Sequence, residues 1–489
     1  MKTYRMYVNG RWVDSRSGRT FPTINPYTAQ EWARIPEASE TDVDDAVAAA
    51  RSAFEGGWRK TSGLERARLM HRLADLIDAD AERLATLETT DNGKVIRETK
   101  NQMHFSARNF RFFAGYADKL YGEVIPLDNP ANLDYTVREP MGVAVLITAW
   151  NSPLQLLSNK LPPALAAGNT VVIKPSEYTS ATTLELAELV EQAGFPPGVV
   201  NVVTGAGDVG NWLTTHLGVD KISFTGGVST GSLIAQNAAR NLVPVTLELG
   251  GKSANIIFDD ADLERAIPGA MAGIFGASGQ TCIAGSRLLV QRGVYRTVVE
   301  QIAERARRIR LGDPLDPATE MGPVAYKAQL DRIMHYVDLG RAQGAQLLAG
   351  GAADEALRPG LFVAPTVFGD VTPQMTIAQE EIFGPVLSAI PFDDEQQAIE
   401  IANGTPYGLA SGVWTQSLNR AHRMAKEMRA GTVWINTYRS SAAQAPFGGT
   451  RHSGYGRERG MHALLEYTQT KNVMLDLTDE ARDPFSLKT

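Results

Sequence analysis

Cys282 stands out first for its chemistry, because it is the only cysteine among 489 residues. It lies in the segment GASGQTCIAGS, where small or polar neighbours leave room for a substrate. A lone cysteine is more often a buried and inert thiol. A thiolate, however, is a strong nucleophile, and a turn or helix N-terminus at this point would lower the pKa of the thiol. Cys282 is therefore a candidate for covalent catalysis.

A nucleophilic thiol needs a base, and the sequence favours a carboxylate over a histidine. The seven histidines show neither H-x-x-x-H nor H-E-x-x-H spacing, so neither a metal site nor a cysteine–histidine pair is predicted. Glu248, in TLELGGKSAN, ends a predicted strand, and the backbone freedom of the following Gly250 and Gly251 would let it swing. The alternative interpretation is a solvated glutamate at a strand end.

Asn151 is the candidate that would stabilise negative charge during the reaction. It directly follows the first predicted strand of the sheet, in AWNSPL. Its side-chain amide could donate a hydrogen bond to an oxygen that becomes an oxyanion. The alternative is an Asx turn before Pro153.

The segment KPSE indicates which cofactor accompanies this chemistry. Lys174 and Glu177 lie just beyond the carboxyl end of a predicted strand, where open α/β sheets bind ligands. A carboxylate there can accept both hydroxyls of an adenosine ribose and would repel a 2′-phosphate, so Glu177 predicts NAD rather than NADP. A solvated pair of surface charges is the alternative.

Two glycine-rich turns compete for the phosphates of such a cofactor. In FTGGVSTG, Gly226, Gly227 and Gly231 permit close approach of the backbone, and Ser229 or its neighbour can cap a helix whose N-terminus would seat a phosphate. The segment GAGDVG at 205–210 is a literal G-x-G-x-x-G. No acidic residue follows it at the expected spacing of about 20 residues, so it is predicted to be an ordinary turn that ends a strand.

The elements that must position these residues follow an alternating pattern. From residue 142, short apolar strands alternate with helical stretches, which predicts parallel sheets covered on both faces. We predict an α/β fold with a Rossmann-like NAD-binding domain, a second α/β catalytic domain and a small β extension for oligomerisation. Their predicted boundaries are 1–120 and 142–250, 251–440, and 121–141 and 468–489, respectively.

Three local features complete the predicted organisation. Residues 1–35 are predicted to form an edge hairpin, and Thr41 with Asp44 resembles a capping box at the start of a helical region. The strand KNVMLDL at 471–477 has little local partner. Because a lone terminal strand often completes the sheet of another subunit, we expect a homodimer or homotetramer.

Composition excludes several classes of protein. Hydrophobic residues make up 43% and charged residues 21% of the chain, with a net charge of −7 and no basic block, so no nucleic-acid partner is expected. The most apolar runs, such as MGVAVLITAW, are too short to cross a bilayer, and the N-terminus has no apolar signal-peptide core. With no disulfide framework available, a cytoplasmic protein is predicted.

Several long segments together carry a resemblance to a known family. LELGGK at 247–252 and FGASGQTC at 275–282 resemble the two signature segments of the NAD(P)-dependent aldehyde dehydrogenase superfamily. AWNSPL, VVIKPSE, FTGG, EEIFGPV, NGTPYGLASGVWT and PFGGTRHSGYGRE also follow the order and spacing of the family. The resemblance covers nearly the whole chain.

The resemblance implies a reaction and a role for each matching residue. A small-molecule aldehyde would be oxidised to its acid through a covalent thiohemiacetal and thioester on Cys282, with NAD as cofactor. Glu248 would be the general base, Asn151 would hold the oxyanion with the Cys282 N–H, and Lys160 would support ionisation of the nucleophile. The implied cofactor contacts are Trp150, Lys174, Ser176, Glu177, Gly207, Phe224, Gly226, Gly227, Ser229, Gly231, Leu249, Glu381 and Phe383. The implied substrate tunnel consists of Ser152, Leu156, Asn159, Thr281, Ile283, Ser441 and Phe447.

Departures from the family pattern bear on the substrate. Ser152, Asn159 and Ser441 stand where many members carry aromatic side chains, which predicts a wide tunnel and a bulky aromatic or terpenoid aldehyde. Arg439, in the same loop as Ser441, could instead select a semialdehyde with an ω-carboxylate. Gly227 replaces a serine that commonly contacts the phosphate, so that contact would fall to the backbone or to residues 228–229.

Three alternatives to a hydrolytic dehydrogenase remain. A relative that passes the thioester to coenzyme A is disfavoured by Glu248, because such relatives usually lack the base. A non-catalytic protein like the lens crystallins built on this fold is disfavoured by the intact set of Cys282, Glu248 and Asn151. A thioesterase without nicotinamide is disfavoured by the predicted cofactor contacts.

Overall fold

The computed structural model describes residues 1–479 and 485. Strands and helices alternate along most of this part of the chain. The helices are α1 (Glu40–Gly56), α2 (Gly63–Ala79), α3 (Ala81–Asn92), α4 (Ile96–Ala114), α5 (Pro153–Ala167), α6 (Ala181–Ala193), α7 (Gly207–Thr215), α8 (Val228–Arg240), α9 (Leu263–Phe275), α10 (Arg292–Ala306), α11 (Lys327–Ala342), α12 (Thr376–Gln379), α13 (Glu395–Asn403), α14 (Leu418–Glu427) and α15 (Gly460–Leu465). The strands are β1 (Lys2–Thr3), β2 (Met6–Val8), β3 (Arg11–Val13), β4 (Thr20–Asn25), β5 (Gln30–Pro36), β6 (Val124–Ile125), β7 (Asn132–Pro140), β8 (Val143–Ile147), β9 (Thr170–Lys174), β10 (Val200–Val202), β11 (Lys221–Thr225), β12 (Val245–Glu248), β13 (Ala254–Ile257), β14 (Arg287–Gln291), β15 (Gln346–Ala349), β16 (Thr366–Gly369), β17 (Val386–Phe392), β18 (Ala410–Trp414), β19 (Thr432–Ile435), β20 (Gly454–Tyr455) and β21 (Thr468–Asp476).

Eight strands form the first sheet, in the order β20-β12-β11-β8-β9-β10-β2-β3. The five central strands are parallel, and runs such as VAVLI and TVVIK are buried along their whole length. Strands of this kind must be covered by helices on both faces. From β8 the chain proceeds to β10 on one side and to β12 on the other, so the carboxyl ends of β8 and β11 form a topological switch point. Ligands of open α/β sheets bind at such a crevice.

Seven strands form the second sheet, in the order β15-β16-β17-β14-β13-β18-β19, and only β15 is antiparallel to its neighbour. A short linker, residues 249–253, joins the carboxyl end of β12 to the amino end of β13. The segment that carries Cys282 lies between α9 and β14, beside that amino end. The parallel sheets confirm the predicted α/β fold class.

Three of the four sheets take their strands mostly from the three predicted regions, with one addition, and β1, β5 and β4 form a further three-stranded sheet. The first sheet takes strands from the N-terminal hairpin and from residues 143–248, and the second takes strands between residues 254 and 435. The addition is β20, which pairs antiparallel with β12 and therefore brings a segment beyond residue 440 onto the edge of the first sheet. The functional division of the chain into these domains stays a prediction.

The predicted lone strand has a partner within its own chain. β21 pairs antiparallel with β7 along its whole length, from Thr468 opposite Pro140 to Asp476 opposite Asn132, and β6 completes a three-stranded sheet. The segment has no partner close in sequence, as predicted, but it is not an isolated strand, because β7, more than three hundred positions earlier, pairs with it. Residues 480–484 and 486–489 of the predicted extension lie outside the described residues.

The N-terminal elements form as predicted in outline but not in detail. β2 and β3 pair as a hairpin at the edge of the first sheet. The predicted capping box at Thr41 was wrong, because α1 begins at Glu40 and is capped by Ser39. The Ser39 hydroxyl accepts a hydrogen bond from the Asp42 N–H at 3.3 Å, and the Asp42 carboxylate accepts one from the Ser39 N–H at 2.8 Å.

Candidate active site

Cys282 lies on a loop whose backbone is unusually constrained. Ala277 and Ser278 adopt left-handed conformations with φ of 53° and 56°, which non-glycine residues rarely do. At Gly279, with φ of 70°, a Cβ atom would lie 2.1 Å from the carbonyl oxygen of Gly384, so only glycine fits. The loop is thus held tightly against the EEIFGPV segment. This packing presents Cys282 to a cavity of about 470 Å³.

The Cys282 thiol is protonated in this environment, contrary to the expectation from its sequence neighbours. Burial, with smaller contributions from the carboxylates of Glu381 and Glu248, raises the pKa of the thiol to about 12, against the opposing charge of Arg459. No helix begins at Cys282, since the next one along the chain, α10, starts at Arg292. A helix dipole that would favour the thiolate is therefore missing, and reaction requires a base to remove the proton.

Glu248 ends β12 as a buried carboxylate without an ordinary partner. Its side chain is 3% exposed, and neither carboxylate oxygen accepts a hydrogen bond from any described residue. Burial and the neighbouring Glu458 raise its pKa well above the usual carboxyl range. The backbone of Gly448 packs against it, because a Cβ there would lie 2.5 Å from Glu248 Oε1. Such a carboxyl group exchanges its proton at a higher pH than an ordinary glutamate, which suits a candidate general base.

Lys160 is coupled to this buried acid pair. It lies on α5, is fully buried and forms an ion pair with the Glu458 carboxylate, and its Nζ also donates to Ser223 Oγ at 3.1 Å. Its positive charge lowers the pKa of Glu248. Lys160 therefore forms an ion pair with Glu458, and its positive charge also acts on the candidate base Glu248.

Asn151 is fixed between two parts of the site. It follows β8, and its Nδ2 donates to the carbonyl oxygen of Gln280 at 2.9 Å, which braces the loop before Cys282. Its own carbonyl accepts a hydrogen bond from the buried Nζ of Lys94. One amide N–H of Asn151 has no partner among the described residues. That N–H is the one predicted to donate to the oxygen of a thiohemiacetal on Cys282.

All seven predicted tunnel residues line the same cavity as Cys282. They are Ser152, Leu156, Asn159, Thr281, Ile283, Ser441 and Phe447. One wall comes from α4 and α5, where residues spaced three and four apart on each helix share a face. Sequence reasoning missed lining residues from α4 and from distant segments, namely Lys94, Glu98, Gln102, Phe105, Trp434 and Arg459. The available signal for Arg459 was its position directly after the PFGGTRHSGYGRE segment.

Polar groups fill the places where the sequence predicted empty space. Asn159 Oδ1 accepts hydrogen bonds from Arg459 Nε and from Asn109 Nδ2, both at 3.0 Å. Ser152 Oγ accepts hydrogen bonds from Lys94 Nζ and, at 3.3 Å, from Gln102 Nε2. The small side chains therefore make room for charged and polar groups of the protein. The tunnel is consequently more polar than its missing aromatic residues predicted.

A second cavity, of about 380 Å³, opens at the carboxyl ends of β8, β9 and β11. Eight predicted cofactor residues line it: Trp150, Lys174, Ser176, Glu177, Gly207, Phe224, Gly226 and Gly227. α8 begins at this cavity with Gly227 as its N-cap, and a Cβ at Gly227 or Gly207 would meet no atom within 4 Å. Open space at a helix N-terminus fits a phosphate group. Gly207 begins α7 here and lines the cavity. The GAGDVG segment is therefore part of this cavity as well as the turn predicted for it.

The two charged residues predicted to hold a ribose lie together in this cavity. Lys174 is buried and donates to the Pro175 carbonyl at 3.1 Å, and its Nζ lies 4.0 Å from the Glu177 carboxylate. The Glu177 side chain is 37% exposed and is available to ribose hydroxyls. Tyr178, which sequence reasoning missed, also lines the cavity and stacks on Tyr326 with ring centroids 3.9 Å apart.

The five remaining predicted cofactor residues lie next to this cavity rather than on its lining. Ser229 and Gly231 belong to the first turn of α8, and a Cβ at Gly231 would lie 2.5 Å from the side chain of Leu249. The Glu381 carboxylate accepts a hydrogen bond from the Gly251 N–H at 3.1 Å, beside the Cys282 loop. The ring of Phe383 lies 5.2 Å from the ring of Trp150, which lines the second cavity. These contacts connect the second cavity with the nucleophile.

Comparison with known proteins agrees with this geometry. The family model described as the aldehyde dehydrogenase family matches residues 12–473. The chain belongs to this family. An aldehyde dehydrogenase of Emericella nidulans is 48% identical over 476 residues, covering 97% of this chain and 95% of that protein. A betaine aldehyde dehydrogenase of Cereibacter sphaeroides is 46% identical over 472 residues, covering 96% and 97% of the two chains.

Among solved structures, betaine aldehyde dehydrogenase from Staphylococcus aureus in complex with NAD⁺ superposes with a TM-score of 0.97. It is 42% identical and the match covers 99% of this chain and 97% of that chain. In the described part of this family member, no helix is long and apolar enough to cross a membrane. No group of three or more histidine, cysteine, aspartate or glutamate side chains within those same residues could hold a metal ion.

Proposed function

We propose that the protein is an NAD-dependent aldehyde dehydrogenase that hydrolyses its thioester intermediate and releases a carboxylic acid. The observation that carries the proposal is the meeting of three segments at the junction of the two sheets. The loop of Cys282 is braced by Asn151 from the end of β8, and the charge of Glu248 at the end of β12 reaches the thiol. These groups supply a nucleophile, an oxyanion donor and a base.

The reaction follows from these positions. The Cys282 sulfur adds to the aldehyde carbonyl carbon while the thiol proton leaves through water to the solvent, so that Glu248 stays unprotonated for the later step. The carbonyl electron pair moves to the oxygen, which Asn151 Nδ2 and the Cys282 N–H hold. Bound NAD would supply the acceptor for the hydride that leaves this carbon, and a thioester remains on Cys282. Glu248 then takes a proton from the water that attacks the thioester, and breakage of the C–S bond frees the acid and the thiol.

NAD is the proposed cofactor because the second cavity suits both ends of a dinucleotide. The N-terminus of α8 would hold the phosphates, Lys174 and Glu177 would hold the adenosine ribose, and Glu381 lies on the path towards Cys282. The solved relative from Staphylococcus aureus carries NAD⁺ in its structure. Glu177 favours NAD over NADP because its negative charge would repel a 2′-phosphate.

The cavity next to Cys282 indicates the size and polarity of the substrate. Its volume of about 470 Å³ exceeds what acetaldehyde needs, in keeping with the predicted bulky substrate. An aromatic aldehyde suits the rings of Phe105, Trp434 and Phe447, whereas a purely apolar terpenoid does not suit the Arg459 guanidinium. A betaine-type aldehyde, suggested by the names of two relatives, is disfavoured because its quaternary ammonium would meet the same positive charge.

Two variants test the proposed mechanism. Cys282→Ser should lower aldehyde oxidation by about 10³-fold or more while NAD still quenches protein fluorescence, because only the nucleophile is lost. Glu248→Gln should still form the thioester on Cys282 and give a burst of NADH near one equivalent per site. Turnover after the burst should be slow, because hydrolysis of the thioester lacks its base. The measurement is NADH absorbance with benzaldehyde, with and without coenzyme A. Cys282→Ser activity within about tenfold of the wild type contradicts the proposal, and coenzyme A-dependent turnover favours the acylating alternative.

A further inference from the structure

Two arginines of the substrate cavity have guanidinium groups with no carboxylate partner. Arg459 and Arg439 both line the cavity that contains Cys282. Neither forms an ion pair with any acidic side chain in the described part of the chain. The third cation, Lys94, is fully engaged, because its Nζ donates to Gln102, to the Asn151 carbonyl and to Ser152. The two arginines are therefore the cations available to a ligand.

Arg459 is held rigidly with its donors towards the cavity. Its Nε donates to Asn159 Oδ1 at 3.0 Å, and the guanidinium lies between the rings of Phe105 and Phe447, 5.0 and 4.9 Å from their centroids. The residue is 7% exposed. Its Nη atoms donate no hydrogen bond to a described residue and are not among the fully enclosed polar atoms that lack a partner. They retain access to the cavity.

The backbone at both arginines is also specialised. Arg459 has φ of 61° and ψ of 168°, a region occupied almost only by glycine, and Arg439 has φ of 62°. The Arg439 guanidinium packs on the backbone of Gly276, where a Cβ would lie 1.9 Å from Nη1, and Nη1 donates to the Ala272 carbonyl at 3.1 Å. Surrounding contacts thus hold two arginines in costly conformations on the lining of one cavity.

The lining of the cavity offers little negative charge, and the two other carboxylates that act on Arg459 through space, Glu458 and Glu248, form no ion pair with it. Glu98 is the one acidic side chain on its described lining, and its Oε1 already accepts a hydrogen bond from the Ala277 N–H at 3.1 Å. A desolvated guanidinium with free N–H groups is best satisfied by a planar carboxylate, which can accept two parallel hydrogen bonds. A neutral amide or a hydroxyl satisfies it less well.

We propose that the cavity selects an aldehyde that carries a carboxylate at its far end, with Arg459 as the main anchor and Arg439 as a second cation. This inference rests on the proposed function and deepens it by naming the charge of the substrate. It also moves the anchor from Arg439, the residue considered from sequence, to the more buried Arg459. The flanking rings of Phe105 and Phe447 add apolar contact for the body of the substrate between its two ends.

The test compares aldehydes of matched shape and different charge. With the whole enzyme at saturating NAD, kcat/KM is measured for 4-formylbenzoate, 4-formylbenzamide and a 4-trimethylammonio-benzaldehyde. The carboxylate should exceed the amide by at least about tenfold, as expected for loss of one charge-assisted contact, and the cation should be the poorest substrate. Added salt should reduce the preference for the carboxylate.

Variants separate substrate anchoring from other roles of the arginines. Arg459→Gln should lower the ratio of carboxylate to amide by about tenfold, Arg459→Lys should keep part of it, and Arg439→Gln should lower it less. Arg296→Gln removes the same charge from an exposed site on α10 and should leave the ratio unchanged. An effect of Arg459 on the Cys282 thiol alone would lower kcat/KM equally for all three aldehydes.

The outcomes distinguish this inference from the function on which it rests. NADH formation from all three aldehydes with no preference for the carboxylate overturns the inference and leaves the proposed function standing. An unchanged ratio in Arg459→Gln removes Arg459 as the anchor. A preference for the trimethylammonio compound reverses the assigned charge. Absence of NADH with every aldehyde, simple ones included, overturns the proposed function itself.

Discussion

Among single residues, the buried carboxyl pair of Glu248 and Glu458 has the largest consequences for catalysis. The two acids interact, and Lys160 compensates only one of them through a direct ion pair. Glu248 is left without hydrogen-bond partners among the described residues, so burial favours its neutral form. A carboxyl group of this kind changes its protonation state above the ordinary carboxyl range.

The pH dependence of turnover should report this coupling. Because burial and Glu458 raise the pKa of Glu248, its carboxylate form appears only above the usual carboxyl range, and the rate limited by this base rises with pH. Glu458→Gln removes the negative charge that raises this pKa, so the rising limb of kcat should move to lower pH. The measurement is a kcat profile for both enzymes. An unchanged limb in Glu458→Gln would show that another group controls it.

A second residue-scale prediction concerns Glu177 and the choice of cofactor. Glu177→Gln should narrow the preference for NAD over NADP by about 1–2 kcal/mol, because it removes charge repulsion in a partly solvated site. Its side chain is 37% exposed, so the substitution should leave the fold intact. The ratio of kcat/KM for the two cofactors is measured in both enzymes. Equal values for NAD and NADP in the wild type would refute the argument.

At the scale of elements, left-handed and glycine backbones set the positions of the reactive loops. The three residues Ala277, Ser278 and Gly279 turn the Cys282 loop against the EEIFGPV segment, and Gly448 lets a second loop pack on Glu248. A side chain at either glycine would collide with backbone or with the base. These glycines therefore fix the backbone of the two loops that carry Cys282 and pack on Glu248.

The first helix provides a prediction about stability at this scale. Ser39→Ala should lower the free energy of unfolding by about 1 kcal/mol, because it removes the side-chain cap of α1. Thr41→Ala is the matched control, since Thr41 is exposed and lies inside the helix rather than at its cap. Chemical denaturation monitored by circular dichroism measures both. A larger loss in Thr41→Ala than in Ser39→Ala would contradict the assigned cap.

At the scale of the whole molecule, the three-stranded sheet of β6, β7 and β21 stands out by its apolar surface. Val124, Leu133 and Leu475 are 74%, 39% and 39% exposed, and Leu475 lies directly opposite Leu133 in the register of the sheet. Apolar side chains clustered on an exposed sheet mark an interaction surface. This supports the predicted role of the segment in joining subunits.

The oligomer prediction can be tested with one substitution on this sheet. Leu475→Asp should shift the protein from a dimer or tetramer to a smaller species, because a charge on the shared face opposes burial of that surface. Leu217→Asp, at a position that is 86% exposed in a turn between α7 and β11, is the matched control. Light scattering after size-exclusion chromatography gives the mass. A wild-type monomer, or equal masses for both variants, would contradict the prediction.

The sequence by itself determined the features that are encoded within short segments. Near-continuous apolar strands such as VAVLI require cover on both faces, so their alternation with helices was enough to predict parallel sheets. Glu248 ends β12 and Asn151 lies four residues beyond β8, so both lie at the carboxyl edge of the first sheet, as parallel strands require. Cys282 belongs to a loop before the amino end of β14 in the second sheet, so only the folded chain brings it to the other two.

Only the tertiary structure decided the features that depend on distant contacts. Arg459 donates to Asn159, which lies 300 positions earlier, and so occupies space that the sequence predicted to be open. The β21 strand finds its partner at a similar separation. The protonation of Cys282 depends on burial and on carboxylates from three separate segments, Glu248, Glu381 and Glu458. Burial and through-space charge arise only when the chain is folded, so the character of the tunnel and the state of the nucleophile could not be read from local sequence.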